Sequence, residues 1–193
     1  MTSARTTDQL IEAARSGEAG AVEELLARHE GQVYRFGLRL CGSEEDARDV
    51  LQETLFAAFR GLGGFRGEGA LSTWLFQVAR THCLRLRRLR SGAPESFHSL
   101  DSPEAAVVAS DEEAPDLRSH ARQVGTVLEA AIRALPEPQR QALLLRDVEG
   151  LPAEDAARVV GIEVRALKSR LHRARRHVRA HLDAVLGDEA RPG

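Results

Sequence analysis

The 193-residue sequence is poor in cysteine, in aromatic residues and in long apolar runs, and each shortage excludes a class of protein. Its two cysteines are too few for a disulfide framework, and no C-x-x-C pair suggests a zinc knuckle. No stretch approaches the roughly 20 apolar residues that cross a membrane, and the polar N-terminus lacks a signal-peptide core. Aromatic residues, at 4%, are too scarce for a base-stacking platform. We therefore expect a soluble, cytoplasmic protein that is not secreted, not inserted in a membrane and not cross-linked by disulfides.

Patterns of catalytic or metal-binding residues are also lacking. No Ser/His/Asp or paired-carboxylate arrangement suggests a catalytic centre. His177 and His181 have the i, i+4 spacing of helical metal ligands, but no third ligand accompanies them. The glycine-rich segment 61–69 follows a helical pattern rather than a strand, and it lacks the G-K-[ST] ending of a phosphate-binding loop. We therefore expect no enzymatic activity, no metal and no cofactor.

The net charge is small, −2, and taken alone it argues against a protein that binds nucleic acid. Its distribution reverses that impression, because local charge decides where a polyanion binds. Residues 77–90 carry five Arg and no acid, and residues 163–182 carry seven basic residues and one acid. Between them, residues 91–120 hold seven acids, one Arg and three Pro. This composition predicts a flexible acidic linker between two helical domains.

Outside the linker, the spacing of apolar residues and the helix-boundary signals predict an all-α protein. Thr6 and Ser43 each begin a helix with a capping-box pattern. A further helix between these two is predicted to end at Gly42, and a long helix is predicted over 72–90. The predicted helices of the second half cover 138–148, 152–160 and 164–182. A short turn that contains Gly161 joins the last two helices. Such a pair, with a basic second helix, is typical of a DNA-binding helix-turn-helix.

Apolar and basic residues occupy different faces of the last predicted helix. Apolar residues recur from Val164 to Leu182 in steps of three and four, which predicts a buried stripe. A basic face beside such a stripe suits the major groove of DNA. A solvated basic face is the simpler alternative, and the preceding helix and turn favour DNA contact over it. In helix 72–90, the arginines either complement the helix dipole or contact phosphates, and five exceed what a helix end needs.

Motifs in both halves resemble those of bacterial RNA polymerase sigma factors of the sigma-70 family, in the extracytoplasmic-function (ECF) group. The first half has a D-x-x-Q-E core at 49–53, and an F-R-G-E loop at 65–68 followed by T-W-L at 73–75. The second half has the run K-S-R-L-H-R-A-R at 168–175. The resemblance implies a promoter-specificity subunit that binds core polymerase and directs transcription initiation, with no catalysis of its own.

The resemblance also implies which parts of the chain make which contacts. A region 2 domain, 1–90, binds the core enzyme and recognises and melts the −10 promoter element. A region 4 domain, 121–193, reads the −35 element through its helix-turn-helix, and the linker 91–120 runs between them. The residues implied in core binding are Asp49, Gln52 and Glu53. Those implied at the −10 element are Phe65, Arg66, Ser72, Thr73, Trp74, Gln77, Arg80, Thr81, Arg87 and Arg88. Those implied at the −35 element are Arg165, Lys168, Ser169, Arg170, His172, Arg173 and Arg176.

The implied partners are core RNA polymerase, through its clamp helices and flap, promoter DNA, and an anti-sigma factor that holds the protein inactive. Two other functions compete with this interpretation. A stand-alone helix-turn-helix regulator would share the second half but would have no use for an exposed D-x-x-Q-E helix over 44–60. An adaptor that binds polymerase without reading promoters would not need the basic helix 164–182.

Overall fold

The computed structural model describes residues 5–62, 65, 71–91 and 115–189, and every regular element in these ranges is helical. The N-terminal half comprises α1 (Thr7–Arg15), α2 (Ala19–Cys41), α3 (Glu44–Gly61) and α4 (Leu71–Ser91). The C-terminal half comprises α5 (Pro115–Ala134), α6 (Glu137–Leu143), which continues as a π-helical turn (Leu144–Val148), α7 (Ala153–Val160) and α8 (Val164–Glu189). The all-α prediction is confirmed.

Local hydrogen bonds begin and end the first helices where the sequence predicts. Thr6 and the side chain of Gln9 form a reciprocal capping box at the start of α1. The Ser43 hydroxyl accepts a hydrogen bond from the Asp46 N–H, at 3.1 Å, and so caps α3. The Asp46 carboxylate, rather than completing a second capping box, accepts a hydrogen bond from Arg90 at 2.6 Å. This ion pair ties the beginning of α3 to the end of α4.

The linker and the last helix differ in extent from their predictions. Helix α5 begins at Pro115, so the last residues of the predicted linker are helical. The remainder of that linker, 92–114, lies outside the described residues. Helix α8 continues to Glu189, beyond the predicted end at 182. Residues 183–186 contain neither glycine nor proline, so nothing there ends the helix.

The helix predicted over 138–148 is irregular. It starts at Glu137, with Pro138 in its first turn, and after Leu143 its hydrogen bonds lengthen to the π pattern. The N–H of Glu149 donates to the carbonyl of Leu144 at 2.8 Å. Pro152 lies just before α7 in an extended conformation, so α7 begins one residue later than the predicted helix 152–160.

A disulfide bond between Cys41 and Cys83 corrects the expectation of a chain without disulfides. It joins the end of α2 to the middle of α4, with the two Cα atoms 5.7 Å apart. The two residues are separated by 42 positions, and they meet because α2 packs against α4. Cysteine spacing gives no signal of such a contact. Phe36 and Phe76, from the same two helices, lie buried with ring centroids 4.9 Å apart.

The two halves of the molecule are in contact. Helix α4 packs against α7, and α2 approaches α6 and the π-helical turn. One cluster of buried apolar side chains includes Phe76 of the N-terminal half and Leu144 and Ala174 of the C-terminal half. This arrangement leaves exposed faces on α3, α4 and α8, which carry most of the residues singled out in the sequence.

Candidate nucleic-acid and polymerase interfaces

A tight turn presents α8 to solvent. Gly161 ends α7 with a φ of +74°, in the left-handed region that favours glycine. Beyond the turn, Leu167, Leu171 and Ala174 of α8 are buried. The opposite side of α8 is exposed and is hereafter called the α8 face; it consists of Arg165, Lys168, Ser169, His172, Arg173 and Arg176. The structure therefore brings together all but one of the residues predicted for the −35 element.

Arg170 is the exception. It is half-buried, and at about 100° per residue it lies on the side of α8 between the buried stripe and Arg173. Its charge acts on Arg80 of α4: burial lowers the pKa of Arg80, Glu137 opposes that shift, and Arg170 adds to it. Arg170 thus lies near enough to α4 for its charge to act on Arg80, and it is not part of the α8 face.

Two other arginines of α8 are held by neighbouring groups. Arg173 donates through Nη2 to the Ser169 hydroxyl at 3.0 Å, so these two members of the α8 face support each other. Arg175 donates to both carboxylate oxygens of Asp147, at 2.7 and 2.8 Å, and this pairing raises the pKa of Arg175. The bidentate pair fixes α8 against the π-helical turn and so orients the helix.

The residues predicted for the −10 element do not form one exposed surface. Gln77, Thr81 and Arg88 are exposed together along α4 and are hereafter called the α4 face. Thr73 is buried, at 4% exposure, and its hydroxyl has no hydrogen-bond partner among the described residues. Its position is that of a packing residue. Ser72 is half-buried at the start of α4, and Arg66 lies outside the described residues.

An aromatic pair adjoins the start of α4. The ring of Phe65 lies 5.8 Å from that of Trp74, and both side chains are half-buried. Trp74 also approaches the end of α3 closely: a Cβ atom on Gly61 would come within 3.1 Å of its ring. Glycine at position 61 permits this approach. Partly exposed aromatic rings of this kind are surfaces on which unpaired bases stack, so this one pair offers a stacking surface that the overall scarcity of aromatic residues argued against.

Arg80 and Arg87 of α4 contact the C-terminal half. Arg80 donates through Nε to the side-chain oxygen of Gln141 at 2.8 Å. Arg87 donates through Nη1 to Glu137 at 2.6 Å. The Gln141 amide in turn donates to the other carboxylate oxygen of Glu137 at 2.7 Å, so one network joins both arginines to α6. The side chains of these two predicted −10 residues are therefore already hydrogen-bonded to α6.

The D-x-x-Q-E motif lies on an exposed side of α3. Asp49, Gln52 and Glu53 are exposed, as docking on a partner requires. The same side continues to Phe56 and Phe59, each of which is 58% exposed. We call these five residues the α3 face. Sequence reasoning missed the two phenylalanines, because apolar residues at helical spacing are normally assigned to a core; the signal was their spacing of three and six residues after Glu53.

A cavity of about 260 Å³ separates the α3 face from α4. Asp49, Gln52 and Glu53 line it from one side, and His82 and Arg85 from the other. Burial lowers the pKa of His82, with Glu53 opposing the shift and Arg85 adding to it. The cavity is smaller than the pockets that hold cofactors or substrates, so it is best regarded as part of the α3 face.

The residues that the structure describes hold neither a cluster of metal-ligating side chains nor a membrane-spanning helix. No group of three or more His, Cys, Asp or Glu side chains there could hold a metal ion. None of the helices in those ranges combines the length and the apolar character needed to span a membrane.

Comparison with known proteins decides the family. The model for sigma-70 region 2 matches residues 25–92, and the model for sigma-70 region 4 matches residues 126–178. The RNA polymerase sigma-H factor of Pseudomonas aeruginosa is 30% identical over 182 residues, which cover 92% of this chain and 94% of that protein. The chain belongs to the sigma-70 family. ECF RNA polymerase sigma factor SigM of Mycobacterium tuberculosis is 32% identical over 184 residues, 95% of this chain and 86% of SigM, which supports the ECF group.

This sigma factor is a promoter-specificity subunit of RNA polymerase, the function that its motifs predicted. A stand-alone helix-turn-helix regulator would match the family only over its DNA-binding half. Here the match includes region 2, which contains the whole D-x-x-Q-E helix, as well as region 4.

Two solved structures share the fold of this chain. CnrH, solved in complex with the cytosolic domain of CnrY, is 26% identical, with a TM-score of 0.62 over 91% of this chain and 96% of CnrH. RpoE of Bartonella quintana, solved in complex with the anti-sigma factor NepR, has a TM-score of 0.65 at 24% identity, over 84% of this chain and 97% of RpoE.

Proposed function

We propose that this sigma factor uses three separate surfaces for its contacts in the initiation complex. The α3 face binds core polymerase, the α4 face with the aromatic pair binds the −10 element, and the α8 face reads the −35 element. The observation that carries the proposal is the exposure of all three faces on different helices of one chain. The corresponding domains are residues 1–90 and 121–193, joined by the linker 91–120, whose last residues extend α5.

The α8 face is suited to duplex DNA. A helix fits the major groove, and the arginine fork of Arg165, Arg173 or Arg176 can donate two hydrogen bonds to a guanine edge. The apolar stripe on the opposite side holds α8 against the rest of the C-terminal half, so the basic side chains project from a rigid element. Phosphate contacts would add affinity that falls as salt rises.

The α4 face is suited to melted DNA. Gln77 and Thr81 supply hydrogen-bond donors and acceptors for base edges, and Arg88 supplies a positive charge for the backbone. Phe65 and Trp74 lie beside them and offer aromatic surface for an unstacked base. Arg80 and Arg87 extend this surface when they are released from α6.

The α3 face has the composition of a protein-binding surface. Phe56 and Phe59 are large apolar side chains exposed beside three polar ones, a combination that suits a protein interface with an apolar centre and a polar rim. The acids Asp49 and Glu53 also make this face unsuitable for DNA. We assign the clamp helices of core polymerase to it, and the flap to the C-terminal half.

We further propose that a protein partner controls this sigma factor. CnrH, with 26% identity, was solved with the cytosolic domain of CnrY bound, and RpoE was solved with an anti-sigma factor. An anti-sigma factor of this kind is the partner that we propose here. The sigma factor would act in the cytoplasm, where the polymerase is, and would supply positioning rather than catalysis.

Removal of the two acids of the α3 face tests core binding. Replacing Asp49 and Glu53 by alanine is expected to weaken binding to core polymerase about tenfold or more, because both carboxylates lie in the proposed interface. Binding is measured by fluorescence anisotropy of the labelled sigma factor. The control replaces Glu23 and Glu30, two exposed acids of α2, and should bind normally. Equal affinity of the two double variants would remove the α3 face from the proposal.

A further inference from the structure

Three links join the last turns of α2 and the first turn of α3 to one side of α4. They are a ring contact, a disulfide and an ion pair: Phe36–Phe76, Cys41–Cys83 and Asp46–Arg90. Their residues on α4 are spaced by seven positions, about two helical turns, and so lie along one side of that helix. The disulfide is the middle link and the covalent one, so its closure or opening governs how firmly the centre of α4 is held.

The disulfide is unexpected in the compartment where we propose that this sigma factor acts. Small thiols and dithiol proteins keep most cysteines of the cytoplasm reduced, and the disulfides that do form there are mostly transient. The Cα atoms of Cys41 and Cys83 are 5.7 Å apart, which is usual for a disulfide, so the bond can close without movement of either helix. Such a pair, in a reducing compartment, is suited to open and close rather than to remain bonded.

The two sulfur atoms differ in their access to solvent. Cys83 is 0% exposed and belongs to the cluster of buried apolar side chains. Cys41 is partly exposed, because it is the last residue of α2 and the chain leaves the helix at Gly42 with a φ of +89°. A reagent in solution therefore reaches the sulfur of Cys41 first, and Cys83 reacts with Cys41 from inside the protein.

We propose that Cys41 and Cys83 form a redox-active site that the thiol–disulfide balance of the cytoplasm opens and closes, and that the closed form holds α4 ready for the −10 element. The second part of this inference rests on the proposed role of the α4 face. Thr81 and Arg88, two residues of that face, lie on either side of Cys83 along α4. When the disulfide opens, this part of α4 keeps two of its three links, and its mobility adds an ordering cost to DNA binding.

A low-molecular-weight disulfide such as oxidised glutathione closes the site in two exchange steps. The Cys41 thiolate attacks one sulfur of the reagent, which forms a mixed disulfide and releases one glutathione thiolate. The Cys83 thiolate then attacks the Cys41 sulfur, which forms the internal disulfide and releases the second glutathione. In total the two cysteines lose two protons and two electrons, and one oxidised glutathione becomes two reduced molecules.

A dithiol reverses both steps. Its first thiolate attacks the Cys41 sulfur and displaces Cys83, which takes up a proton. Its second thiol then displaces Cys41, and the reductant leaves as a cyclic disulfide. The dithiol thus supplies the two electrons and two protons that the cysteines regain.

Glutathione buffers test the redox-active site in the full chain. As the share of oxidised glutathione rises, the number of cysteines open to alkylation after unfolding should fall from two to none, as counted by mass spectrometry. The closed form should melt roughly 5–15 °C higher than the open form, because a disulfide restricts the unfolded chain. A pair that stays closed in reduced glutathione alone, or open in oxidised glutathione alone, would overturn the proposal.

Two single-cysteine variants test the order of the steps. In oxidised glutathione, Cys83→Ala keeps the accessible thiol and should accumulate a mixed disulfide with one glutathione per chain. Cys41→Ala keeps only the buried thiol and should react at least about tenfold more slowly. Circular dichroism checks that both variants are folded, and the titration of the unaltered chain does not depend on them. Equal rates in the two folded variants would contradict the assignment of Cys41 as the residue that reacts first.

The effect on −10 binding is measured in the holoenzyme. With the closed form, the holoenzyme should bind a promoter fragment that is pre-melted over its −10 element about threefold to tenfold more tightly than with the open form. The control is the double variant Cys41→Ala, Cys83→Ala, which should bind like the open form in every buffer, so any change in its affinity reports on the core enzyme. Equal affinities of the closed and open forms would show that the site does not act through α4.

The role of the α4 face is decided separately. Replacing Gln77 and Thr81 by alanine, with the disulfide closed, should weaken binding to the same fragment about tenfold, because two hydrogen-bonding side chains are lost. If this variant bound as tightly as the closed original chain, the α4 face would have no part in −10 binding, whatever the glutathione titration shows.

Discussion

Replacing both Arg173 and Arg176 by alanine is expected to reduce transcription from the cognate promoter roughly 30-fold to 10⁴-fold. Each arginine lies on the exposed α8 face, and loss of one arginine–base contact costs about 1–3 kcal/mol. The two side chains are three residues apart and so reach neighbouring positions in one groove. The upper figure applies when the two base contacts are independent, and coupling between these neighbouring side chains moves the loss towards the lower figure. Run-off transcription with core polymerase measures the loss.

The matched control removes two positive charges elsewhere. Arg15 and Arg28 are exposed on α1 and α2, and their replacement by alanine should leave transcription within about twofold, since surface ion pairs contribute little. The effect should also depend on sequence. Suppose that the Arg173 and Arg176 variant lost the same fraction of its transcription on every promoter, including promoters with mutated −35 elements. The two arginines would then contact only phosphates.

Phe36→Ala is expected to lower the free energy of unfolding by about 3–5 kcal/mol, the usual cost of removing a large aromatic side chain from a core. Phe36 is 0% exposed, and its ring packs against Phe76 of α4 at 4.9 Å between centroids. Because α4 carries the α4 face, loss of this packing should also weaken promoter melting. Urea titration followed by circular dichroism gives the free energy.

The same substitution at an exposed position is the control. Phe56→Ala, at a side chain that is 58% exposed and contacts Arg60 through its ring, should lower the free energy of unfolding by at most about 1 kcal/mol. It should instead weaken binding to core polymerase. If Phe56→Ala destabilised the protein as much as Phe36→Ala does, Phe56 would be a core residue, and its assignment to a docking surface would be wrong.

Local signals in the sequence are sufficient to predict the helix-turn-helix. The glycine at 161 ends α7, and the steps of three and four from Val164 onward predict which side of α8 is buried. Both features depend on interactions within one or two turns of helix, so residues close together in the sequence determine them. The D-x-x-Q-E motif was likewise placed on an exposed side of α3, because its polar residues share one helical face.

Contacts between helices that are far apart in the chain could not be predicted from the sequence. The Cys41–Cys83 disulfide depends on how α2 packs against α4. The hydrogen bonds of Arg80 and Arg87 depend on partners in α6 that lie 61 and 50 residues later in the chain. Periodicity shows that these arginines lie on α4 but not which neighbour they meet. Arg170 illustrates the same limit, since it belongs to the K-S-R-L-H-R-A-R motif yet is half-buried, and its charge acts on Arg80 of α4.

The most direct test of promoter specificity is run-off transcription by core polymerase with and without the full chain, on fragments of the genome that encodes it. The chain should produce transcripts with defined start sites that core polymerase alone does not make, and mutation of bases about 35 positions upstream of those starts should abolish them. At limiting concentrations, the Asp49 and Glu53 double variant should give less transcript on every fragment. Random initiation that is unchanged by the chain would contradict its role as a promoter-specificity subunit.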